Sequence, residues 1–209
     1  MSDDSRFVIT AKGVLTEYRG NDEILEIPQG VKAIGSNLLG YRKGEAVRTV
    51  IIPEGVTEIK PRAFSSSDIE AVSLPSTLCK IGEDAFGYCR NLKQITIPDG
   101  VTEIPNMAFW MSGLEEIHLP VNLKKIGDGA FQHCEHLKTI NLPDLTTLEI
   151  GSKAFTGCKS LVDEKGFLIL QNRLFTYYSE QKKELFWALA MGLCLWGALM
   201  CIWAMRKKA

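Results

Sequence analysis

A short motif that recurs at a nearly constant interval constrains the fold more than any other feature of this sequence. Its clearest marker is an Ala-Phe pair, and successive alanines of that pair are 22, 23, 22 and 24 residues apart. The pairs are Ala63-Phe64, Ala85-Phe86, Ala108-Phe109, Ala130-Phe131 and Ala154-Phe155. Leu38-Leu39 replaces the pair in a weaker first copy. Repetition at this period indicates a solenoid, in which each copy buries its apolar side against its neighbours.

Each copy of the motif, hereafter a rung, combines a predicted strand with a predicted turn. In residues 92–98, Ile95 and Ile97 alternate with polar residues, as expected for a strand with one buried face. A proline ends the strand, because proline cannot donate a ladder hydrogen bond. The other half, residues 81–86, is too short for a full helix and predicts a helical turn. We expect the repeated phenylalanines to stack from rung to rung as one internal row.

A column of charged residues supports parallel, in-register stacking of the rungs. The position after the first apolar residue of the strand is Arg48, Glu70, Lys93, Glu115 and Lys138 in successive copies, so its sign alternates. Neighbouring strands lie about 4.8 Å apart, which brings opposite charges together. Each such pair contributes about 0.2–1 kcal/mol to a sheet. The column therefore predicts charges that satisfy one another.

The six cysteines do not follow the pattern of a disulfide framework. Cys89, Cys134 and Cys158 each lie four residues after a repeat alanine, and Ser67 and Ser112 fill the same slot in other rungs. Cys194 and Cys201 lie in an apolar tail, and Cys79 stands alone. A buried reduced thiol behaves as a small hydrophobic group. All six are predicted to be free thiols.

The ends of the chain differ from its middle. Residues 1–30 predict an N-terminal cap that contains a hairpin with its turn at Gly13, where glycine reaches a positive φ without strain. Residues 31–162 hold about six rungs. Residues 163–184 predict a C-terminal cap hairpin and a linker, followed by a transmembrane helix over 185–205 and a basic tail over 206–209.

These residues resemble the BspA-type leucine-rich repeat family, whose pattern is IGxxAFxxCxxLxxIxIPxxVTxI. The resemblance covers residues 31–162, although Lys60 and Pro105 replace the glycine in two rungs. It implies an α/β solenoid, a right-handed leucine-rich-repeat coil with a parallel β-sheet and short helical turns on its convex side. It also implies a place on cell surfaces and a role in adhesion or host contact.

Residues 185–205 form an uncharged, apolar segment of 21 residues. At 1.5 Å per residue, a helix of this length spans the hydrocarbon core of about 30 Å. Trp187 and Trp203 lie near its ends, and Arg206, Lys207 and Lys208 follow it, as at a membrane interface. The segment predicts contact with the lipid bilayer as a single-pass C-terminal anchor. The alternative is a core helix of the repeat domain.

The orientation of this anchor follows less directly from the sequence. More cations follow the segment than precede it, which favours a cytoplasmic C-terminus and an exported repeat domain. However, the first ten residues are acidic and polar, unlike a secretory signal. A tail-anchored protein with its repeats in the cytoplasm avoids this conflict, and we expect that arrangement. The cell surface is the alternative.

Few residues suggest chemistry. The run His133, Cys134, Glu135 and His136 contains metal-ligand and nucleophile types, but Cys134 falls in the inward slot and a closed zinc site needs four ligands. The net charge of −1 and the absence of a basic patch exclude a nucleic-acid-binding protein. We expect no catalytic residues, no cofactor and no metal. A hydrolase-like Cys/His site at Cys134 is the enzymatic alternative.

The remaining candidate is the outward face of the strands. A solenoid presents such a face as an extended surface for a protein or peptide. Its predicted binding residues are Thr49, Gln94, Thr96, Glu116, His118, Thr139 and Asn141. We therefore predict a membrane-anchored, non-catalytic protein-interaction module. The alternative is a shortened fragment of a larger surface or adhesion protein.

Overall fold

The computed structural model describes residues 5–40, 46–145 and 147–161. In these residues the secondary structure consists of short strands and turns, without a helix. Contacts divide the chain into the units Met1–Val162 and Asp163–Ala209, and all described residues lie in the first unit. The strands are β1 (Phe7–Ile9), β2 (Val14–Tyr18), β3 (Ile24–Glu26), β4 (Ala33–Ile34), β5 (Thr49–Ile51), β6 (Glu58–Ile59), β7 (Ala71–Ser73), β8 (Lys80–Ile81), β9 (Gln94–Thr96), β10 (Glu103–Ile104), β11 (Glu116–His118), β12 (Lys125–Ile126), β13 (Thr139–Ile140) and β14 (Glu149–Ile150).

The first two strands form a hairpin at the start of the stack. β1 and β2 are antiparallel, with Phe7 opposite Tyr18, and Gly13 in the connecting turn has a φ of 76°. β2 then pairs in parallel with β4, so that Leu15 lies beside Ile34. The hairpin therefore covers the first rung and leads directly into the repeats.

The rungs stack into two series of parallel strands, which confirms the predicted β-solenoid. β3, β5, β7, β9, β11 and β13 form one series, here called the strand face, and the later, shorter strands of each rung form the other, here called the flank. Equivalent isoleucines lie beside each other along the flank, as in the pairing of Ile104 with Ile126 and of Ile126 with Ile150. Both series are interrupted at the same step, between β7 and β9 and between β8 and β10.

The third side of each rung, here called the turn side, was predicted to contain short helical turns, and this prediction is wrong. In residues 60–67 the amides of Ala63, Ser65 and Ser67 bond to carbonyls three residues back, whereas Arg62, Phe64 and Ser66 donate to the next rung. A helix would need every amide for its own backbone. Asn37 in the first described turn and two positions in each later turn adopt a positive φ, which ends any helical run. Those residues on the turn side are Asn37, Arg62, Ser66, Asp84, Tyr88, Met107, Met111, Gly129, His133, Lys153 and Gly157.

The phenylalanines form the predicted internal row. Ring centroids of successive residues from Phe64 to Phe155 are 5.2–5.4 Å apart, and the Phe86, Phe109 and Phe131 rings are within 4° of parallel. The first four side chains of the row are fully buried. Leu39 occupies the equivalent place in the first rung, since its amide bonds to the Ala63 carbonyl as that of Phe64 bonds to Ala85. One apolar row therefore runs through the rungs.

The cysteine slot lies beside this row and faces inward. Cys89, Cys134 and Cys158 are buried, Cys79 is exposed, and all four are free thiols, as predicted. Cys194 and Cys201 lie outside the described residues, as does the apolar segment 185–205. None of the described residues forms a helix that could cross a membrane.

Candidate functional site

The strand face presents two columns of outward side chains. Its register places Gln94 beside Glu116 and Glu116 beside Thr139, with Thr96 beside His118 in the second column. The buried residue between the columns is Ile95 in β9 and Ile117 in β11. Because side chains alternate across a strand, burying the central isoleucine turns both of its neighbours outward. The sequence-predicted residues of β9, β11 and β13 therefore lie together on one surface.

The earlier strands extend the same columns with less polar residues. Ile24, Thr49 and Ala71 continue the first column, and Glu26, Ile51 and Ser73 form the beginning of the second. Ile24 is 53% exposed and Ile51 is 39% exposed. The face thus changes from partly apolar over β3 and β5 to polar over β9 and β11.

Two predicted binding residues already have partners within the protein. The side-chain amide of Asn141 accepts a hydrogen bond from the Leu119 amide at 2.6 Å and donates one to the Leu119 carbonyl at 2.8 Å. It therefore continues the ladder beyond the short β13. His118 Nε2 lies 3.2 Å from Glu116 Oε1, a pair that becomes ionic when His118 is protonated. The Asn141 side chain thus acts as a ladder partner for the Leu119 backbone at the end of the strand face.

The His133–His136 region does not form the suspected Cys/His or metal site. Cys134 is fully buried, and its thiol donates to the Phe109 carbonyl at 3.0 Å. Burial raises the pKa of this thiol to about 11. Glu135 pairs with Lys159 at 2.8 Å, which lowers the pKa of the carboxyl. Over the described ranges, histidine, cysteine and acidic side chains form no cluster of three that could hold a metal ion.

A family model for the BspA type leucine rich repeat region matches residues 32–162 in 6 copies. The chain belongs to the BspA-type leucine-rich repeat family. Comparison with curated proteins gave no match.

Three of the solved structures that are similar to this chain are leucine-rich repeat proteins. A leucine-rich repeat protein of T. pallidum is similar at 24% identity with a TM-score of 0.66, over 82% of this chain and 94% of that one. A leucine-rich repeat protein from Bacteroides ovatus is 24% identical with a TM-score of 0.48, over 70% of this chain and 47% of its own. One from Eubacterium ventriosum is 23% identical with a TM-score of 0.49, and the matched shares are 75% and 51%. The T. pallidum structure supports the leucine-rich-repeat fold.

For this BspA-type repeat protein, sequence reasoning missed the contribution of β3 to the strand face. The segment Ile24–Glu26 was assigned to the cap, yet β3 pairs in register with β5 and exposes Ile24 and Glu26. The alternation in ILEIP (residues 24–28) carried the signal, because it matches the ends of the later strands. The sequence predicts this segment as a bare strand rung within the cap, but its outward residues are not among the predicted binding residues.

Proposed function

We propose that this leucine-rich repeat protein is a non-catalytic interaction module that binds a protein or peptide on its strand face. The observation that carries the proposal is the double column of outward side chains on β3, β5, β7, β9, β11 and β13, backed by a buried apolar row. A rigid repeated support holds such a surface in one shape, which lowers the entropy lost on binding.

The absence of catalysis is supported by the state of the best nucleophile candidate. A cysteine nucleophile reacts as the thiolate and needs access to its substrate. Cys134 is inaccessible, its pKa is raised to about 11, and its thiol is bonded to a main-chain carbonyl. Serine fills the same slot in two other rungs, as Ser67 and Ser112. The slot therefore suits a small buried donor better than a reactive group.

Paired substitutions test the strand face. The full chain carrying Glu116→Ala and His118→Ala should lose partners that the wild type captures by cross-linking. The control carries Thr102→Ala and Lys124→Ala, which alter two exposed residues beside the neighbouring flank strands β10 and β12. Capture that is unchanged in the first variant, or reduced equally in both, would contradict binding through β11.

We also propose that residues 185–205 anchor the protein in a bilayer and that the repeats lie on the cytoplasmic side. The support is the length and apolar character of that segment and the basic residues after it. After carbonate washing, the full chain should stay with membranes, and a chain ending at residue 162 should not. Protease added to intact cells should leave the repeats uncut; cleavage would place them on the cell surface.

A further inference from the structure

The step between β7 and β9 differs from every other step of the strand face that the structure describes. At the other steps, the first amide of the strand bonds to the preceding rung, as in Glu70 N to Arg48 O at 2.7 Å and Glu115 N to Lys93 O at 2.8 Å. The equivalent bond from the Lys93 amide to the Glu70 carbonyl is not formed. The bond that would follow β7, from the Leu74 amide to Thr96, is also not formed. We call this break the seam.

The seam continues through the flank. Between β8 and β10, Thr102 does not donate to Cys79, although Cys79 donates to Thr57 at 3.0 Å and Lys124 donates to Thr102 at 2.9 Å. Pro105 occupies the slot in which Gly127 and Gly151 each donate to the preceding rung at 2.7 Å. Proline has no amide hydrogen, and its ring occupies space that glycine leaves open for a close backbone. A Cβ on Gly127, for example, would lie 2.6 Å from the Asn106 nitrogen.

The charged residues on the two sides of the seam have opposite signs, but they pair with neighbours on their own side and not across the seam. Glu70 pairs with Arg48 at 3.6 Å, and Lys93 pairs with Glu115 at 3.7 Å. Along the described flank, Lys80 likewise pairs backwards with Glu58, and Glu103 pairs forwards with Lys125. The alternating column predicted from the sequence thus closes at the described steps Arg48–Glu70, Lys93–Glu115 and Glu115–Lys138 and stays open here.

The turn side remains joined across the same step. The amides of Phe86 and Tyr88 donate to Ala108 and Trp110 at 2.9 and 2.7 Å, and the Phe86 and Phe109 rings are stacked 5.4 Å apart. The gap is therefore confined to the strand face and the flank. The rungs on either side stay attached while the strand-face backbone lacks its usual partners.

A groove of about 680 Å³ lies over the seam on the strand face. Val72 contributes to its wall and is half-buried, whereas the equivalent Val50 and Ile95 are almost completely buried. Ser73, Gln94 and Thr96 add polar groups. This volume lies within the usual range for ligand sites.

The free backbone groups at the groove define the ligand chemistry. β7 bonds to β5 through Ala71 and Ser73, so Val72 directs its N–H and C=O toward β9. β9 bonds to β11 through Lys93 and Ile97, which turns the backbone groups of Gln94 and Thr96 toward β7. A strand inserted here would need about 9.6 Å between β7 and β9, whereas Cα atoms of the two strands lie within 8 Å of each other. An extended polypeptide lying over the groove can still supply donors and acceptors from its open side.

The electrostatics of the groove select the side chains of such a peptide. Glu54 carries the only formal negative charge among the lining residues, and hydrogen bonds from Ser76 and Thr77 lower the pKa of its carboxyl, so it remains ionised. Val72 offers an apolar contact in the same groove. A peptide with alternating basic and apolar residues would fit both.

We propose that the seam groove binds an extended, basic-apolar peptide segment, with an apolar side chain over Val72 and a lysine or arginine near Glu54. This rests on the proposed function of the strand face and names the site and the ligand class. The groove supplies the space, the unmade backbone bonds supply donors and acceptors, and Glu54 supplies the complementary charge.

The test uses the full chain in a mild detergent and a short fluorescent peptide of alternating valine and lysine. Gln94→Arg places a bulky cation in the groove, and Val121→Arg places the same side chain at an exposed position after β11, outside the groove and off the strand face. We expect Gln94→Arg to weaken peptide binding by about tenfold, equivalent to about 1.4 kcal/mol, and Val121→Arg to change it by less than about twofold. Equal weakening in both variants would show general charge repulsion and overturn the proposal.

A second measurement locates the peptide without relying on a variant. Hydrogen exchange at the Gln94 and Leu74 amides should slow when the valine-lysine peptide binds, whereas exchange at Glu116 should not change. Peptides with glutamate for lysine, or serine for valine, should bind more weakly. Failure of the valine-lysine peptide to bind would overturn the seam proposal alone, because the Glu116 and His118 experiment tests the strand face separately.

Discussion

At the scale of single residues, the inward cysteine slot shows how a repeat tolerates a buried polar atom. The thiols of Cys89, Cys134 and Cys158 each donate to the carbonyl of the phenylalanine in the preceding rung, at 3.0–3.1 Å. In the serine version of the slot, Ser67 Oγ donates to the Phe64 carbonyl of its own rung at 2.7 Å. A donor with a partner avoids the cost of an unsatisfied buried group. The slot therefore accepts either residue type.

Thiol labelling at neutral pH should distinguish the exposed cysteine from the buried ones. Among the four cysteines that the structure describes, iodoacetamide should modify Cys79 first, because Cys89, Cys134 and Cys158 are inaccessible and their thiolates are disfavoured. Mass spectrometry of tryptic peptides measures the order, and labelling in urea gives the fully reactive reference. Modification of Cys134 ahead of Cys79 would instead support a reactive Cys/His site.

The same thiols should make stability fall at alkaline pH. Burial raises the pKa of Cys89 and Cys158 from 9.0 to about 12, so above pH 9 the unfolded chain releases protons that the folded chain retains. The contribution of each buried thiol to the free energy of unfolding is then fully present below pH 9. It is lost as the pH rises toward 12, at up to about 1.4 kcal/mol per pH unit. Urea unfolding at pH 8 and pH 10 measures this difference.

The matched variants isolate the thiol contribution to this pH dependence. Cys89→Ser should reduce the loss of stability between the two pH values, whereas Cys79→Ser, at an exposed site, should not. An identical loss in the wild type and in Cys89→Ser would show that other groups, such as the raised pKa of buried Tyr18, account for it.

At the scale of secondary-structure elements, the short strands depend on the rungs above and below them. Most strands contain two or three residues, too few to be stable alone. Their pairing follows from parallel stacking, in which every rung contributes one strand to the strand face and one to the flank. The flank series is interrupted beside β10, where Pro105 has no amide hydrogen to donate to the preceding rung.

Replacing Pro105 should test the cause of the seam. Pro105→Gly restores both the amide and the space that Gly127 and Gly151 provide at the equivalent position. A new hydrogen bond contributes about 0.5–1.5 kcal/mol, and the added glycine costs a similar amount in chain entropy, so overall stability should change little. Hydrogen exchange at Thr102 and Glu103 should nevertheless become slower.

Pro61→Gly is the control, because this exposed proline lies one residue beyond the equivalent slot of its rung, which Lys60 occupies with its amide bonded. It should leave exchange at Thr102 unchanged. If Pro105→Gly also leaves that exchange unchanged, another feature separates β8 from β10. If the flank closes in Pro105→Gly, binding of the valine-lysine peptide should also be measured. A change in that binding would show that the gap in the flank and the groove on the strand face are coupled.

At the scale of the whole repeat unit, stability arises from contacts between neighbouring rungs. The phenylalanine row joins each rung from Phe64 onward to the next, and the ladders do so at every described step except the seam. This agrees with a repeat protein whose stability is a sum of rung and interface terms. The segments PEGVTEI (53–59) and PDGVTEI (98–104) are similar and lie 45 residues apart, so they mark two equivalent positions along this stack. Equivalent positions should be interchangeable.

An in-register deletion tests this modularity. Removing residues 54–98 joins Pro53 to Asp99, which keeps the order of strand and turn and places Arg48 next to Glu115 in the charged column. The shortened chain should fold, with the urea m-value reduced by about a quarter because less surface is exposed on unfolding. Removing residues 54–87, a rung and a half, should prevent cooperative unfolding. Equal behaviour of the two deletions would contradict the stacking register.

The sequence by itself determined the rung, the inward phenylalanine row, the free thiols of the described rungs and the parallel register of the charged column. These follow from side-chain type at a fixed period, because each rung meets the same neighbours in the same way. Only the tertiary structure decided the conformation of the turns, the ladder role of Asn141 and the place where the sheets part. Those features depend on how amides divide between their own turn and the next rung, and on how closely two backbones approach at a slot filled by Pro105. The spacing of residues along the sequence does not specify the distance between the two backbones.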